Sequence, residues 1–187
     1  MIKNIIPAIR LTLICILFFC GIYTLLIWAV AQAAPNNGMG ETVVVDGKVA
    51  GFRLIGQKFT AYKYFMSRPS VSDYNAISSG GSNKGPSNPE YLKTVQDRID
   101  SFLVHNPGIN RSNIPSDLVT ASGSGLDPDI SVQGAYVQVD RIAKARNLPT
   151  EKVKTLVNNH IERPLAGLLG TERVNVLQLN IDLDDLK

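Results

Sequence analysis

LTLICILFFCGIYTLLIWAVAQAA, residues 11–34, contains no charged side chain, and its apolar core runs to Ala31. A helix needs about 20 such residues to cross the hydrocarbon of a bilayer, where lipid offers the backbone no hydrogen-bond partner and a helix satisfies its own amides. The stretch reads as a transmembrane anchor. It divides the chain into a tail at residues 1–10, an anchor helix at 11–34 and a domain at 35–187. Lys3 and Arg10 precede the apolar run, and Trp28 stands near its far end. Positive charge is held on the cytoplasmic side, and an indole is stable at the interface. The expected topology is a cytoplasmic tail and an extracytoplasmic domain. The small residues Ala29, Ala31, Ala33 and Ala34 would also suit a processing peptidase, but a signal peptide carries a shorter apolar core of about 7–15 residues. The length of the run favours an uncleaved anchor, and either reading exports residues 35–187.

With 187 residues there is room for one anchor and one domain of ordinary size. Setting aside Lys3 and Arg10 leaves 17 of the 19 basic residues against 16 acidic ones. A net charge near +1 provides no electrostatic footprint for nucleic acid. The only cysteines, Cys15 and Cys20, lie inside the apolar run. The domain therefore has neither a disulfide framework nor a thiolate metal site.

Local patterns in the domain mix strands and helices. Val43 to Val45, Asp46-Gly47 and the apolar run to Ile55 predict a hairpin, because Asp-Gly accommodates the positive φ of a tight turn. The aromatic run Tyr62–Met66 reads as another strand, and the Ser, Gly, Asn and Pro of residues 67–88 as a long loop. Asn88 followed by Pro89 is a helix start, and Leu92, Val95, Ile99, Phe102 and Leu103 keep helical spacing until Asn106-Pro107 stops them. Leu118 to Ala121 is expected to form a short strand. A second helix is expected after Ser131, with Val132, Tyr136, Val139 and Ala143 on its apolar face, and a third near Thr150 with Val153, Leu156, Val157 and Ile161. Val174 to Leu179 alternates as a strand would. The fold class is a single N-terminal transmembrane helix followed by one α+β extracytoplasmic domain.

No catalytic pattern emerges. The runs Gly80 to Gly85 and Ser122-Gly123-Ser124-Gly125 match neither G-x-x-x-x-G-K-[ST] nor G-x-G-x-x-G, and tight turns account for their glycines. A nucleophile elbow would require glycine where Ser122 stands. His105, at a helix end, and His160, among apolar positions, suit capping or packing. Asp127 and Asp129 are the nearest approach to a carboxylate cluster, but Asp127-Pro128 more often marks a turn. The acidic end Asp182 to Asp185 reads as a solvated tail. The default is a non-enzymatic structural or assembly role within a membrane complex. The rival readings are a stand-alone exported binding module and direct nucleotide binding by the Ser/Gly loop.

Several runs resemble the C subunit of the Kdp potassium-transporting ATPase. They are Arg68-Pro69-Ser70 with Tyr74-Asn75, Gly81-Ser82-Asn83, Asn88-Pro89, and above all Asp117-Leu118-Val119-Thr120-Ala121-Ser122-Gly123-Ser124-Gly125-Leu126-Asp127-Pro128. Ile130-Ser131, Arg141, Ala145-Arg146 and Arg173 to Leu177 extend the likeness almost to the C-terminus. Asp129 and Val132 depart from the family, which usually has histidine and proline there, so no role of that histidine carries over. The resemblance implies an accessory, non-catalytic subunit in the inner membrane, with membrane lipid, a potassium-channel-like subunit and a P-type ATPase subunit as partners. ATP, Mg and K then belong to the complex, and no cofactor is assigned to this chain. Family members are described as raising the ATP affinity of the ATPase subunit. With the domain outside, any such effect must cross the membrane indirectly. Arg68, Tyr74, Asn83, Asn88, Asp117, Ser122, Ser124 and Asp127 are the expected contact or loop-organising positions.

Overall fold

A computed structural model describes residues 4–186; Lys3, on which the orientation reading partly rests, lies outside them. The chain separates into two compact units, one ending at Thr42 and the other starting at Val43.

The first unit is dominated by α1, Ile5–Ala31, a single helix of 27 residues. At 1.5 Å per residue it is about 40 Å long, enough to cross a hydrocarbon layer of about 30 Å. It takes in Ile5 to Arg10 as well as the apolar run. Pro7 permits this because the first turn has no intrahelical acceptor for its missing N–H. The middle of the helix, Ile16–Tyr23, widens to π-helical spacing, and the Thr24 hydroxyl donates to the Phe19 carbonyl five residues back at 3.0 Å. None of its described side chains is buried. An apolar helix exposed all round is adapted to lipid or to other membrane helices.

The expected hairpin, β1 (Thr42–Val45) and β2 (Lys48–Phe52), falls in the second unit except for its first residue. Its turn places Asp46 and Gly47 at φ +49° and +75°, the paired positive φ of a tight two-residue connection. The second sheet is antiparallel and three-stranded, made of β3 (Asp129–Ile130), β4 (Ile161–Glu162) and β5 (Arg173–Asn175), in the order β3-β5-β4. Val174 is the register partner of both Ile130 and Ile161. Around it lie α2 (Pro89–His105), α3 (Val132–Tyr136), α4 (Val139–Arg146), α5 (Thr150–Asn159) and α6 (Val176–Asp185). The core comprises Phe65, Ile130, Val139, Ile142, Val153, Val157, Val174, Val176, Leu179 and Leu183.

Helix α2 starts where expected, with Asn88 Oδ1 accepting from the Tyr91 amide at 3.0 Å. The second expected helix divides into α3 and α4 at Val137–Gln138. Strand β5 ends at Asn175 because that side chain caps α6, accepting from the Gln178 amide at 3.1 Å. Val176, Leu179, Asn180 and Leu183 then bury one helical face, so the alternation from Val174 to Leu179 belongs to a strand only at its start. Leu118 ends a single 3₁₀ turn, Ser116–Leu118, and is not in a strand. Asp182 to Asp185 lie in the last turn of α6, with Leu183 fully buried, and do not form a solvated tail.

Tyr62–Met66 also lacks a strand partner, and side chains replace the ladder. All five of its carbonyls accept from side chains: Tyr62 and Tyr64 from Arg141, Lys63 from Arg146, Phe65 from Asn180 and Met66 from Gln138. The amides of Phe65 and Met66 donate to Asn180 Oδ1 and Gln138 Oε1, both at 2.8 Å. Gln138, Arg141 and Asn180 are themselves buried. Buried backbone groups require partners, and here Gln138, the cap of α4, and residues on α4 and α6 supply them. Arg141 also donates to Asn106 Oδ1 at 2.8 Å. Burial pulls its guanidinium down to about 10, so it remains protonated at neutral pH.

Candidate functional site

The polar loops that carry the Ser/Gly motifs are tied to one another. Ser122 to Gly125 folds against residues 69–81. The Ser122 amide donates to the Pro69 carbonyl at 3.2 Å, and the Gly80 amide and Ser79 hydroxyl both donate to the Ser124 carbonyl at 2.8 Å. The loop also closes on itself: the Gly125 amide donates to Ser122 Oγ at 2.9 Å and the Leu126 amide to Ser124 Oγ at 3.0 Å. Gly125 sits at φ +71°, and a Cβ there would lie 2.7 Å from Ser72 Oγ and 2.9 Å from the Gly80 carbonyl oxygen. No larger residue fits without displacing the neighbouring loop.

Arg68 and Asp127 form an ion pair at 2.8 Å, each about a quarter exposed. The Tyr74 hydroxyl donates to the Arg68 carbonyl at 2.5 Å, and the Tyr74 amide donates to Ser70 Oγ at 2.9 Å. Burial, reinforced by Asp73, pushes the Tyr74 phenol up to about 12, so it is a permanent donor at neutral pH. Asp117, at the start of the signature, accepts from the Ser131 amide at 2.8 Å and from its hydroxyl at 3.0 Å. Ser131 in turn caps α3, accepting from the Gly134 amide at 2.9 Å.

Arg68, Tyr74, Ser122, Ser124 and Asp127 thus belong to one loop cluster. Asp117 joins its far end to α3, whereas Asn88 is engaged as the cap of α2. Asn83 is exposed at φ +53°. Sequence reasoning missed Gly56, whose amide donates to the Leu126 carbonyl at 2.8 Å and where a Cβ would stand 2.4 Å from the Asp127 carbonyl oxygen. Nothing in its local sequence signals that close approach.

A cleft of about 380 Å³ opens beside the cluster, lined by Arg68, Asp117, Asp127, Asp129, Ser131 and Arg173 among others. Asp129 lies in its wall. Asp129 pairs with Arg173 at 3.0 Å, and Arg173 also contacts Glu162, which holds Arg53 at 2.7 Å. Burial keeps the Asp129 carboxyl above its ordinary value, more than Arg173 lowers it. Glu162 is held low: burial would raise it, but hydrogen bonds from Arg53 and Arg173 outweigh that effect. Val132 opens α3 directly behind the Ser131 cap.

Among the described residues no three His, Cys, Asp or Glu gather closely enough to hold a metal ion. The amides of Ser122, Gly125 and Leu126 are engaged within the protein and do not converge on an open anion cradle. The arrangement suits a loop scaffold that fixes a surface.

Fold and site together define a class: one apolar helix long enough to span a membrane, joined to an α+β domain with an internally bonded polar loop cluster. The family model "KdpC: K+-transporting ATPase, c chain" matches residues 5–185, and the chain belongs to this family. It is 55% identical to the potassium-transporting ATPase KdpC subunit of Flavobacterium psychrophilum, over 99% of this chain and 100% of that protein. It is 52% identical to that of Bacteroides fragilis, over 99% and 98%, and 48% identical to that of Caldanaerobacter subterraneus subsp. tengcongensis, over 94% and 92%.

Proposed function

We propose that this chain is the accessory, non-catalytic subunit of a high-affinity, ATP-driven potassium import complex, anchored once in the inner membrane with residues 1–10 cytoplasmic and residues 35–187 periplasmic. Helix α1 packs against the membrane helices of the potassium-channel-like and P-type ATPase subunits. The domain stabilises the assembly over the outer mouth of the channel subunit and assists potassium entry. The observation that carries this reading is α1 itself, 27 apolar-rich residues with no described side chain buried by its own chain, which leaves its surface for lipid and partner helices. On this topology, any effect on ATP affinity is transmitted across the membrane and does not arise at the Ser/Gly loop.

Deleting residues 35–187 while retaining α1 is expected to abolish high-affinity potassium uptake; unchanged uptake would sink the proposal. Single cysteines at Asn36, Ser124 and Asp185, in a background lacking Cys15 and Cys20, test the orientation. All three are expected to react with a membrane-impermeant thiol reagent in intact spheroplasts. Reaction only after lysis would reverse the topology and return direct nucleotide contact to the front.

A further inference from the structure

Arg98, Ser101, Phe102 and His105 stand at helical spacing along one face of α2. Between that face and the segment 58–74 opens a second cleft, of about 360 Å³. It shares no lining residue with the cleft beside Asp127. Phe59, Met66, Pro69, Phe102 and Leu118 give it apolar walls, and Phe102 and Leu118 are each only 7% exposed. The wall facing α2 is preformed. The Phe59 ring packs against Tyr64 with centroids 6.0 Å apart, and the Ser67 hydroxyl donates to the Gln57 carbonyl at 2.8 Å. Small-molecule sites are concave, mostly apolar, largely preformed and about 300–1,000 Å³ in volume, with a few polar groups that fix the ligand.

The charges at this cleft are of one sign. Lys58 and Arg98 line it, and no aspartate or glutamate does. Lys58 is compensated by Asp73 at 2.6 Å, in a pair more than half exposed to water. Arg98 is half-buried and has no such compensation. It donates to the Val119 carbonyl at 3.2 Å and forms no ion pair among the described residues. A guanidinium carries five N–H donors, so most of them remain open to a further acceptor. Tyr74, also in the wall, does not neutralise the charge, because its hydroxyl donates to the Arg68 carbonyl and its phenol titrates only at about 12. Beside apolar walls the local dielectric is low, which strengthens a charge-assisted bond from a guanidinium to a carboxylate.

We infer that this cleft binds a small organic anion, a carboxylate carried on an aromatic or branched aliphatic body, with the body between Phe59, Phe102 and Leu118 and the carboxylate on Arg98. The inference goes beyond the subunit reading and does not depend on the orientation of the chain. Charge selects the ligand class. A neutral apolar molecule would leave the Arg98 donors unused, and a cation would meet like charge with no carboxylate to hold it. One uncompensated guanidinium matches one carboxylate; a polyanion would bring charge that the cleft does not answer.

The test is fluorine nuclear magnetic resonance on the full chain in dodecyl maltoside, with p-(trifluoromethyl)benzoate as probe and empty micelles as blank. Saturable binding is expected, with a dissociation constant of about 1 mM or tighter; no saturation would overturn the inference. The neutral p-(trifluoromethyl)benzamide has the same body and should bind about tenfold more weakly or worse. Equal binding of the two would show apolar partition alone and overturn the inference, and this comparison needs no variant. Arg98→Gln should weaken the benzoate by about tenfold or more, and Arg98→Lys should retain most of the affinity. Lys93→Gln, the same charge change at an exposed position of α2, should alter it by less than about twofold. An Arg98→Gln chain that keeps its tyrosine circular dichroism and binds the benzoate like the parent would overturn the site, as would an equal effect of Lys93→Gln. The same titration on the assembled pump tests a rival occupant. Arg98-dependent binding that disappears on assembly would mean that a partner's segment fills the cleft, which would overturn the small-molecule reading and leave the subunit reading standing.

Discussion

Replacing Asn180 with leucine tests the side-chain ladder that holds Tyr62–Met66. Asn180 is 2% exposed, accepts from the Phe65 amide at 2.8 Å and donates to the Phe65 carbonyl at 2.9 Å. Leucine keeps the same number and branching of side-chain heavy atoms, so no cavity opens; its bulkier methyls add some strain, and the two lost hydrogen bonds dominate. Each stranded backbone group costs about 1–3 kcal/mol when buried, about 2–6 together. The greater apolarity of leucine returns roughly 1 kcal/mol, leaving a destabilisation of about 3 kcal/mol. Urea unfolding of the detergent-solubilised chain measures it through near-ultraviolet circular dichroism of tyrosine, because Trp28 lies in α1 and does not report on the domain. Asn159→Leu, at an exposed position of α5, is the matched control, with an expected change within about 0.5 kcal/mol. If Asn180→Leu costs less than about 1 kcal/mol, the segment is not held by that amide and the ladder argument fails.

Gly56→Ala is expected to cost about 1–3 kcal/mol in the same assay, since the new methyl meets the Asp127 carbonyl oxygen at 2.4 Å and backbone must shift; an unchanged midpoint would show that the approach is not tight. Tyr74→Phe should lose about 1 kcal/mol with the hydrogen bond to the Arg68 carbonyl, and ultraviolet titration should lose a phenol step near pH 12. For Asp129, burial raises the folded carboxyl above its ordinary 3.8. The folded state thus favours the protonated form, and the resulting stability is present below that ordinary value and lost as pH rises through the raised one. Stability of the parent chain relative to Asp129→Asn should therefore fall as pH increases from about 3.5 to about 7, and a flat difference would refute the assignment.

Features that depend on neighbouring residues were legible in the sequence. The membrane helix comes from the charge-free run, the hairpin from Asp46-Gly47 and α2 from the cap at Asn88 and the proline behind it. The failures lie where a distant partner decides. Tyr62–Met66 has strand composition, but its hydrogen bonds go to side chains 72 to 120 positions away in the chain, such as Gln138 and Asn180. The alternation at Val174 ends because Asn175 caps a helix and Asn180 faces the core, a role its polarity conceals. In the site, the eight expected positions came from the family resemblance; the structure brings Arg68, Tyr74, Ser122, Ser124 and Asp127 into one loop cluster but leaves Asn83 exposed and uses Asn88 as a helix cap, a division that no local pattern marks. Gly56 and Glu162 carry no such mark; their importance arises only when the loop around Asp127 and strand β5 arrive beside them.

The ladder on Tyr62–Met66 also constrains the order in which the domain can be built. Its partners are Gln138, which caps α4, and residues on α4 and α6, and the Asn180 amide reaches back 115 residues to Phe65. A ribosome making this chain has released that segment long before α6 exists, so Phe65 must wait in water for Asn180 even after Gln138, Arg141 and Arg146 can claim the carbonyls around it. Contacts of such span form slowly. The clasp on Phe65 is therefore among the last contacts of the domain to close, and a chain lacking α6 would leave that residue's backbone unpaired at the centre of the aromatic stretch.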